Sequence, residues 1–165
     1  SVNAVQTTSV FATIANDGVR MLPRLIAGYS NTEGVYEPTM IDEGVRVVSP
    51  ETAKTVREML EGVVSEDGTA KNMQIPGYRV GGKTGTANRY DEATGGYSGY
   101  TSSFIGMAPA EKPALVMSVS IHNPKTSTYG SVVAGPVFKD VMTYALAHLK
   151  IPPSTTKPPK LPVEW

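Results

Sequence analysis

The feature that most constrains the fold is a block of three β-rich runs between helical segments. The runs cover residues 78–87, 100–108 and 114–122, and a turn bounded by two prolines, residues 109–113, separates the last two. Two β-rich runs joined by so short a turn predict an antiparallel hairpin. Helices before and after consecutive strands favour an α+β fold, an antiparallel sheet covered by helices, over a doubly wound one. We expect this sheet to be incomplete.

Two helix starts and one apolar stripe predict the helices. Asn3 followed by Gln6 has the pattern of a capping box, and the helix that follows should stop at residues 16–18, Asn-Asp-Gly. Residues 49–51, Ser-Pro-Glu, combine a cap, a proline and an acid and predict a helix over about residues 50–64. An apolar stripe after Pro136 predicts a final helix and consists of Phe138, Val141, Met142, Ala145 and Leu149.

The remaining segments carry weaker signals. Residues 19–27 are β-leaning but contain Pro23, which suits an edge strand, and residues 28–44 are loop-rich with a candidate short strand pair. From residue 151 the sequence is polyproline-biased, which predicts a linker or terminal tail without a helix. We therefore divide the chain into a domain portion, residues 1–150, and a Pro-rich tail, residues 151–165.

Composition excludes several classes of function. The 15 basic and 15 acidic residues balance, and no basic run is interleaved with aromatics, so nucleic acid is not an expected partner. There is no Cys and there are two His, too few for a Cys/His zinc site, and we expect neither a metal nor an organic cofactor. No apolar run approaches the roughly 20 residues of a spanning helix, so we expect no membrane contact by this chain. A start without Met that runs straight into a helix suggests a piece of a longer protein.

The segment with the most chemistry is residues 81–87, Gly-Gly-Lys-Thr-Gly-Thr-Ala. Lys83 offers a point charge, and the hydroxyls of Thr84 and Thr86 can donate hydrogen bonds to an anion. Gly85 lets another group approach the backbone closely. Strand alternation puts the two threonines on one side and Lys83 with Gly85 on the other, so both sides must line a site that uses all four.

Lys-Thr-Gly on a strand is one of three motifs of penicillin-binding proteins and serine β-lactamases. The chain resembles class B penicillin-binding proteins, especially division-specific ones, in order and spacing along residues 2–149. The segments that carry the resemblance are residues 10–16, Ser49-Pro50 and its helix, residues 76–78, 83–87 and 104–109, Asn123-Pro124, and residues 134–138. The resemblance implies that residues 1–150 are the C-terminal portion of a transpeptidase domain with a penicillin-binding-protein/β-lactamase-like fold.

The family's activity is a serine-type D,D-transpeptidase reaction that cross-links peptidoglycan stem peptides, with β-lactams as donor mimics. The resemblance implies that Lys83 holds a positive potential near the nucleophile and helps relay a proton, while Thr84 and Thr86 bind the carboxylate of the donor or drug. Gly85 would keep the gap clear, and a backbone N–H near Thr86 would complete the oxyanion hole. Tyr129 resembles an aromatic that borders the substrate cleft; alternatively it is a half-exposed loop aromatic.

The implied partners are a stem peptide, β-lactam antibiotics and the upstream half of the same domain, with proteins of a division complex as further candidates. The implied location is the extracytoplasmic face of a bacterial membrane, through a membrane-anchored parent protein. A non-catalytic scaffold or binding domain of the same ancestry is the competing function. A helix-borne Ser-x-x-Lys followed by Ser-x-Asn upstream would favour the enzyme.

The family's other two motifs have false matches here. Ser154-Thr155-Thr156-Lys157 fits Ser-x-x-Lys, but prolines on both sides prevent the helical turn that brings the lysine beside the serine. Ser1-Val2-Asn3 fits Ser-x-Asn, but it directly caps the first helix. The nucleophile motif should therefore lie upstream, and we expect this chain to be inactive on its own.

Residues 77–84 also satisfy G-x-x-x-x-G-K-T, the phosphate-binding loop of nucleotide hydrolases. That loop needs an apolar strand before it and a helix after it, so that a helix N-terminus faces the phosphates. Residues 72–76 are turn-like and Thr84-Gly85-Thr86 is poor helix material. A nucleotide-binding protein is therefore the remote alternative.

Overall fold

The computed structural model describes residues 2–159. Four α-helices and seven strands follow one another along these residues. Their order is α1 (Ala4–Ala15), β1 (Val19–Arg20), β2 (Gly28–Ser30), β3 (Tyr36–Pro38), β4 (Val45–Arg46), α2 (Pro50–Val64), β5 (Gly81–Asp91), β6 (Gly96–Ala108), β7 (Leu115–His122), α3 (Gly130–Val133) and α4 (Gly135–His148). A short 3₁₀-helix, Lys71–Met73, lies between α2 and β5.

The three long strands form one antiparallel sheet in the order β5-β6-β7, which confirms the sheet and the hairpin expected from the sequence. Strand β5 begins at Gly81 rather than at residue 78, because residues 75–78 form a tight turn in which Tyr78 N–H donates to the Ile75 carbonyl over 3.0 Å. The β5–β6 pairing continues to Asp91 and Gly96, past a register shift between Asn88 and Tyr90. Those outer residues are mostly polar, so the sequence has no hydrophobic alternation that would predict this part of the pairing.

Helices lie on both faces of this sheet. A Cβ at Gly81 would touch Leu60 and Glu61 of α2, whereas a Cβ at Gly106 would collide with the ring of Phe138 in α4. The core on the α4 side contains Phe104 and Phe138, both fully buried, with ring centroids 4.7 Å apart in an edge-to-face arrangement. Burial of such a side chain stabilises the fold by about 1.5–3 kcal/mol. The predicted α+β fold with helices covering an antiparallel sheet is confirmed.

The first two helices begin where the sequence predicts. Asn3 and Gln6 form a reciprocal capping box at α1, and Ser49 Oγ accepts a hydrogen bond from Thr52 N–H at α2. Arg57 of α2 is buried, and its guanidinium donates to the Ile14 carbonyl over 2.8 Å. Because Ile14 lies in the last turn of α1, this bond joins the two helices.

Residues 19–47 form an arm with little buried surface. Among the strands of residues 2–159, β1 pairs only with β4, and β2 pairs only with β3. The predicted edge strand over residues 19–27 is therefore wrong except for Val19–Arg20. The chain meets Pro23, which has no N–H to donate, soon after that strand. The predicted short strand pair within residues 28–44 is confirmed.

After α4, the described residues 150–159 contain neither helix nor strand, as the prolines predict, but part of this segment lies against the domain. Tyr78 Oη donates to the Ile151 carbonyl over 2.7 Å, and Ser154 N–H donates to the Gly77 carbonyl over 2.9 Å. Residues 160–165 of the predicted tail lie outside the described residues, and the division of the chain at residue 150 stays a prediction. Across residues 2–159, each helix is too short or too polar to cross a lipid bilayer.

Candidate active site

The Lys-Thr-Gly-Thr segment lies in the middle of β5, at the edge of the main sheet. Gly81 and Gly82 are buried, and Lys83 is the first exposed residue of the strand. Within the described residues β5 pairs only with β6, so the backbone groups of every second residue point away from the sheet. The segment therefore presents side chains and backbone donors along one open edge.

The strand register confirms that the four predicted residues project from both sides of β5. Thr84 and Thr86 pair with Phe104 and Ser102, whereas Lys83 and Gly85 pair with Ile105 and Ser103; paired residues of an antiparallel ladder share a face. Because the Phe104 ring packs on Phe138, the threonines face the α4 side. Gly81, two positions before Lys83, faces α2, so Lys83 and Gly85 share the α2 side.

The carbonyl oxygen of Thr128 joins the strands to the loop before α3. Thr86 Oγ1 donates to it over 3.1 Å, and Ser102 Oγ donates to it over 2.5 Å. Ser102 is fully buried, so this hydrogen bond satisfies a hydroxyl that has no access to water. The two hydroxyls come from neighbouring strands and hold the loop against the sheet.

This arrangement sets a condition on the predicted role of Thr86. A hydroxyl has one proton to donate, so Thr86 Oγ1 must leave the Thr128 carbonyl before it can donate to a ligand carboxylate. Ser102 remains bonded to that carbonyl, so the Thr128 oxygen keeps one hydrogen-bond donor when Thr86 turns away. Thr86 can therefore exchange one acceptor for another at little cost.

Tyr129 lies directly after Thr128, at the corner where the loop enters α3 (the Tyr129 corner). Its side chain is 68% exposed, and its N–H donates to Ser127 Oγ over 3.2 Å. The next residue, Gly130, is buried against Ser103 and Gly85, where a Cβ would collide with the Ser103 carbonyl. The backbone that follows Tyr129 therefore packs beside Gly85 of β5, while Tyr129 itself remains largely in solvent. Its place at the border of a substrate cleft stays a prediction.

Lys83 has no acidic partner within residues 2–159. Its ammonium group donates to the carbonyl of the adjacent Thr84 over 3.0 Å and approaches Thr84 Oγ1 at 3.4 Å. A cation that is exposed on an edge strand and bonded only to neutral oxygens can be recruited by an incoming anion. In the same range, no group of three acidic or histidine side chains could hold a metal ion.

Sequence reasoning missed three residues that shape this region. Ser102, Thr128 and Gly130 have no motif of their own, because their importance comes from contacts between strands and a loop far apart in sequence. Two open clefts of about 490 and 340 Å³ lie elsewhere, around the Glu61–Arg79 pair, and Lys83 lines neither. The candidate site is thus one wall rather than an enclosed pocket.

The structure also bears out the rejection of the false motifs. Lys83 and Thr84 lie inside a strand that continues to Asp91, so no helix N-terminus follows them to receive a phosphate. Ser154 and Lys157 lie in a segment without a helix. Asn3 caps α1, while Ser1 lies outside the described residues.

Comparison with known proteins agrees with this geometry. The pattern of the penicillin binding protein transpeptidase domain matches residues 1–143. Penicillin-binding protein PbpB of Mycolicibacterium smegmatis is 34% identical over 99% of this chain and 27% of its own length. Stage V sporulation protein D of Bacillus subtilis is 44% identical over 66% of this chain and 17% of its own length.

Solved structures show the same fold. Penicillin binding protein 3 of Mycobacterium tuberculosis, complexed with ampicillin, matches with a TM-score of 0.84 and 33% identity over 96% of this chain and 37% of its own. The TP domain of penicillin-binding protein 3 from Burkholderia pseudomallei matches with a TM-score of 0.74 and 38% identity, over 94% of this chain and 45% of its own.

A Lys-Thr-Gly strand in an antiparallel sheet with helices on both faces is typical of one class of proteins, the penicillin-binding proteins and serine β-lactamases. Within that class, the chain belongs to the penicillin-binding-protein transpeptidase family. The family expected from the sequence motifs is therefore confirmed. The chain spans about a quarter of the length of PbpB and of other curated relatives.

Proposed function

We propose that this chain supplies the Lys-Thr-Gly wall of the active site in a longer peptidoglycan D,D-transpeptidase. The observation that carries the proposal is the edge strand β5, where Lys83, Thr84 and Thr86 project beside the Tyr129 corner. A cation and hydroxyls held on a rigid strand stabilise developing negative charge without reorganising during the reaction.

Each residue of the wall has a proposed role. Lys83 holds a positive potential near the serine nucleophile and helps relay its proton, while Thr84 and Thr86 bind the carboxylate of the donor peptide. Gly85 keeps the gap beside β5 clear of a side chain; a Cβ at this position would also lie 2.5 Å from Ser103 Oγ. Outward backbone N–H groups near Thr86 would complete the oxyanion hole.

The proposed reaction is acyl transfer in two steps. The serine oxygen bonds to the carbonyl carbon of the penultimate D-alanine, the bond to the terminal D-alanine breaks, and the departing amine takes up a proton. The amine of a neighbouring stem peptide then attacks the acyl-enzyme ester and releases the serine hydroxyl. A β-lactam forms the same ester by opening its ring, which leaves no separate leaving group.

The proposed ligands and location follow from the relatives. Penicillin binding protein 3 of Mycobacterium tuberculosis has been solved with ampicillin and with aztreonam, so we assign β-lactams to this site as well. Probable peptidoglycan D,D-transpeptidase PbpC of Pseudomonas aeruginosa is 32% identical over 93% of this chain, which supports the stem peptide as substrate. The extracytoplasmic membrane face and division-complex partners belong to the same proposal.

Labelling with a fluorescent penicillin tests this function. The longer protein should form a covalent adduct that survives denaturation, on a serine in a Ser-x-x-Lys helix. The 165-residue chain alone should form none, because its single Ser-x-x-Lys, at Ser154, lies in a segment that cannot place the lysine beside the serine. Peptide mapping of the adduct decides the assignment, since a label on Ser154 or no label on the longer protein would contradict it.

A further inference from the structure

Arg79, just before β5, is the meeting point of three parts of the chain. Its guanidinium binds both carboxylate oxygens of Glu61 in α2, over 2.7 and 2.6 Å, and both side chains are largely buried. This hydrogen bonding raises the pKa of Arg79 above its usual range. The Arg79 carbonyl accepts a hydrogen bond from Ala110 N–H, after β6, over 2.8 Å.

The third part is the segment that follows α4. Arg79 Nη1 donates to Thr156 Oγ1 over 2.8 Å, and Arg79 N–H donates to Ser154 Oγ over 2.8 Å. The Ser154–Gly77 and Tyr78–Ile151 bonds extend the contact on either side. Four hydrogen bonds thus join residues 77–79 to residues 151–156, the region that contains the rejected Ser-x-x-Lys match.

These contacts matter because few side chains anchor the chain just before Lys83. Val80 is buried in the core, and Gly81 and Gly82 are held through backbone pairing with β6. Gly81 and Gly82 allow β5 to approach α2 and β6 closely, but they have no side chain to interlock with either. Arg79 is therefore the nearest charged anchor upstream, four positions before Lys83, which is a span of at most about 13 Å in extended chain. Downstream, the nearest anchor is the Thr86–Thr128 hydrogen bond.

We propose that Arg79 is a positioning residue for Lys83 and that the segment after α4 is a strap that holds Arg79 in place. The Glu61 carboxylate fixes the guanidinium to α2, and Ser154 with Thr156 closes the contact from outside. The strap then limits how far β5 can slide along α2, and with it the position of the Lys83 ammonium group. This inference rests on the proposed transpeptidase function.

The test uses penicillin acylation of the longer protein, with the saturating acylation rate separated from the affinity for the drug. The test variant is Ser154→Ala combined with Thr156→Val, which removes both hydroxyls and leaves the buried ion pair intact. The matched control is Thr155→Val, because Thr155 is exposed and forms no hydrogen bond within the described residues. Misplacement of a reacting group by about 1 Å can cost up to about 100-fold in rate.

We expect the double variant to lower the saturating rate by about 10- to 100-fold with little change in affinity. Arg79→Lys, which keeps the charge but loses the bidentate fork, should act in the same direction. A double variant that melts earlier but acylates as fast as Thr155→Val would show a merely structural strap and overturn the inference.

Two further measurements separate this inference from the proposed function. Lys83→Ala is assayed in parallel: if it acylates at the normal rate, the proposed function falls and the inference falls with it. If Lys83→Ala acylates slowly and the double variant acylates at the normal rate, only the inference is overturned. Hydrogen exchange of the 165-residue chain needs no activity: amides of residues 81–86 should exchange faster in the double variant than in Thr155→Val, and equal exchange would refute the coupling.

Discussion

Replacement of Gly130 by alanine tests how the Tyr129 corner is seated on the sheet. The added Cβ would collide with the Ser103 carbonyl oxygen and approach the Gly85 carbonyl oxygen at 3.0 Å. Both obstacles are backbone atoms in adjacent strands, so the corner has to move instead. Overpacking of this kind costs about 1–3 kcal/mol. At about 2–4 °C per kcal/mol for a domain of this size, the melting temperature should fall by about 2–12 °C.

Gly96→Ala is the matched control, because nothing lies within 4 Å of a Cβ at that position and its backbone is not left-handed. Its melting temperature should remain within about 2 °C of the parent chain, since surface substitutions usually change stability by less than 0.5 kcal/mol. Calorimetry of both variants in the 165-residue chain gives the comparison. Equal melting temperatures for Gly130→Ala and Gly96→Ala would refute the claim that the corner packs tightly on β5 and β6.

Three further predictions concern the body of the domain. Arg57→Met should lower the unfolding free energy by about 1.5–3 kcal/mol in urea titration, because it removes the charged donor to the Ile14 carbonyl; the Asp17 pair adds little, since Asp17 is 64% exposed. The pKa of Glu51 is lowered by a hydrogen bond from its own backbone N–H and by Ser49. The stability from Glu51 is therefore present above its unfolded pKa of about 4.3 and lost as pH falls through its folded pKa, so Glu51→Gln should flatten the fall in melting temperature below about pH 4.3. The 165-residue chain should self-associate at high concentration, because the outer edge of β7 is unpaired within the described residues; a single monomeric species in sedimentation and no dye-accessible apolar surface would contradict this.

The elements with local signals could be predicted from the sequence. The Ser49-Pro50-Glu51 start and its apolar stripe gave α2 its observed bounds, Pro50–Val64, because caps and amphipathic spacing act within a few residues. The Lys-Thr-Gly-Thr segment fell on a strand with the expected alternation for the same reason.

The contacts that complete the site could not be predicted in this way. The Thr128 carbonyl accepts hydrogen bonds from the hydroxyls of Thr86 and Ser102, which are 42 and 26 positions away in the sequence. This pair of hydrogen bonds can form only after the loop has packed on the sheet. Likewise, the prolines around Ser154 correctly excluded a helix but gave no sign of a partner 75 positions away at Arg79. Such long-range hydrogen bonds depend on tertiary packing, which local patterns do not encode.

The most direct test of the central claim is the penicillin acylation rate of the longer protein with Lys83→Ala. Loss of one preorganised electrostatic group typically costs a factor of about 100 to 1,000, while loss of an exposed cation should leave the melting temperature nearly unchanged. Lys54→Ala, which removes an exposed lysine of α2, should acylate normally. Thr86→Val should mainly weaken binding of ligands that carry a carboxylate. A normal acylation rate in Lys83→Ala would contradict the account, and unchanged binding of carboxylate ligands by Thr86→Val would remove Thr86 from the site.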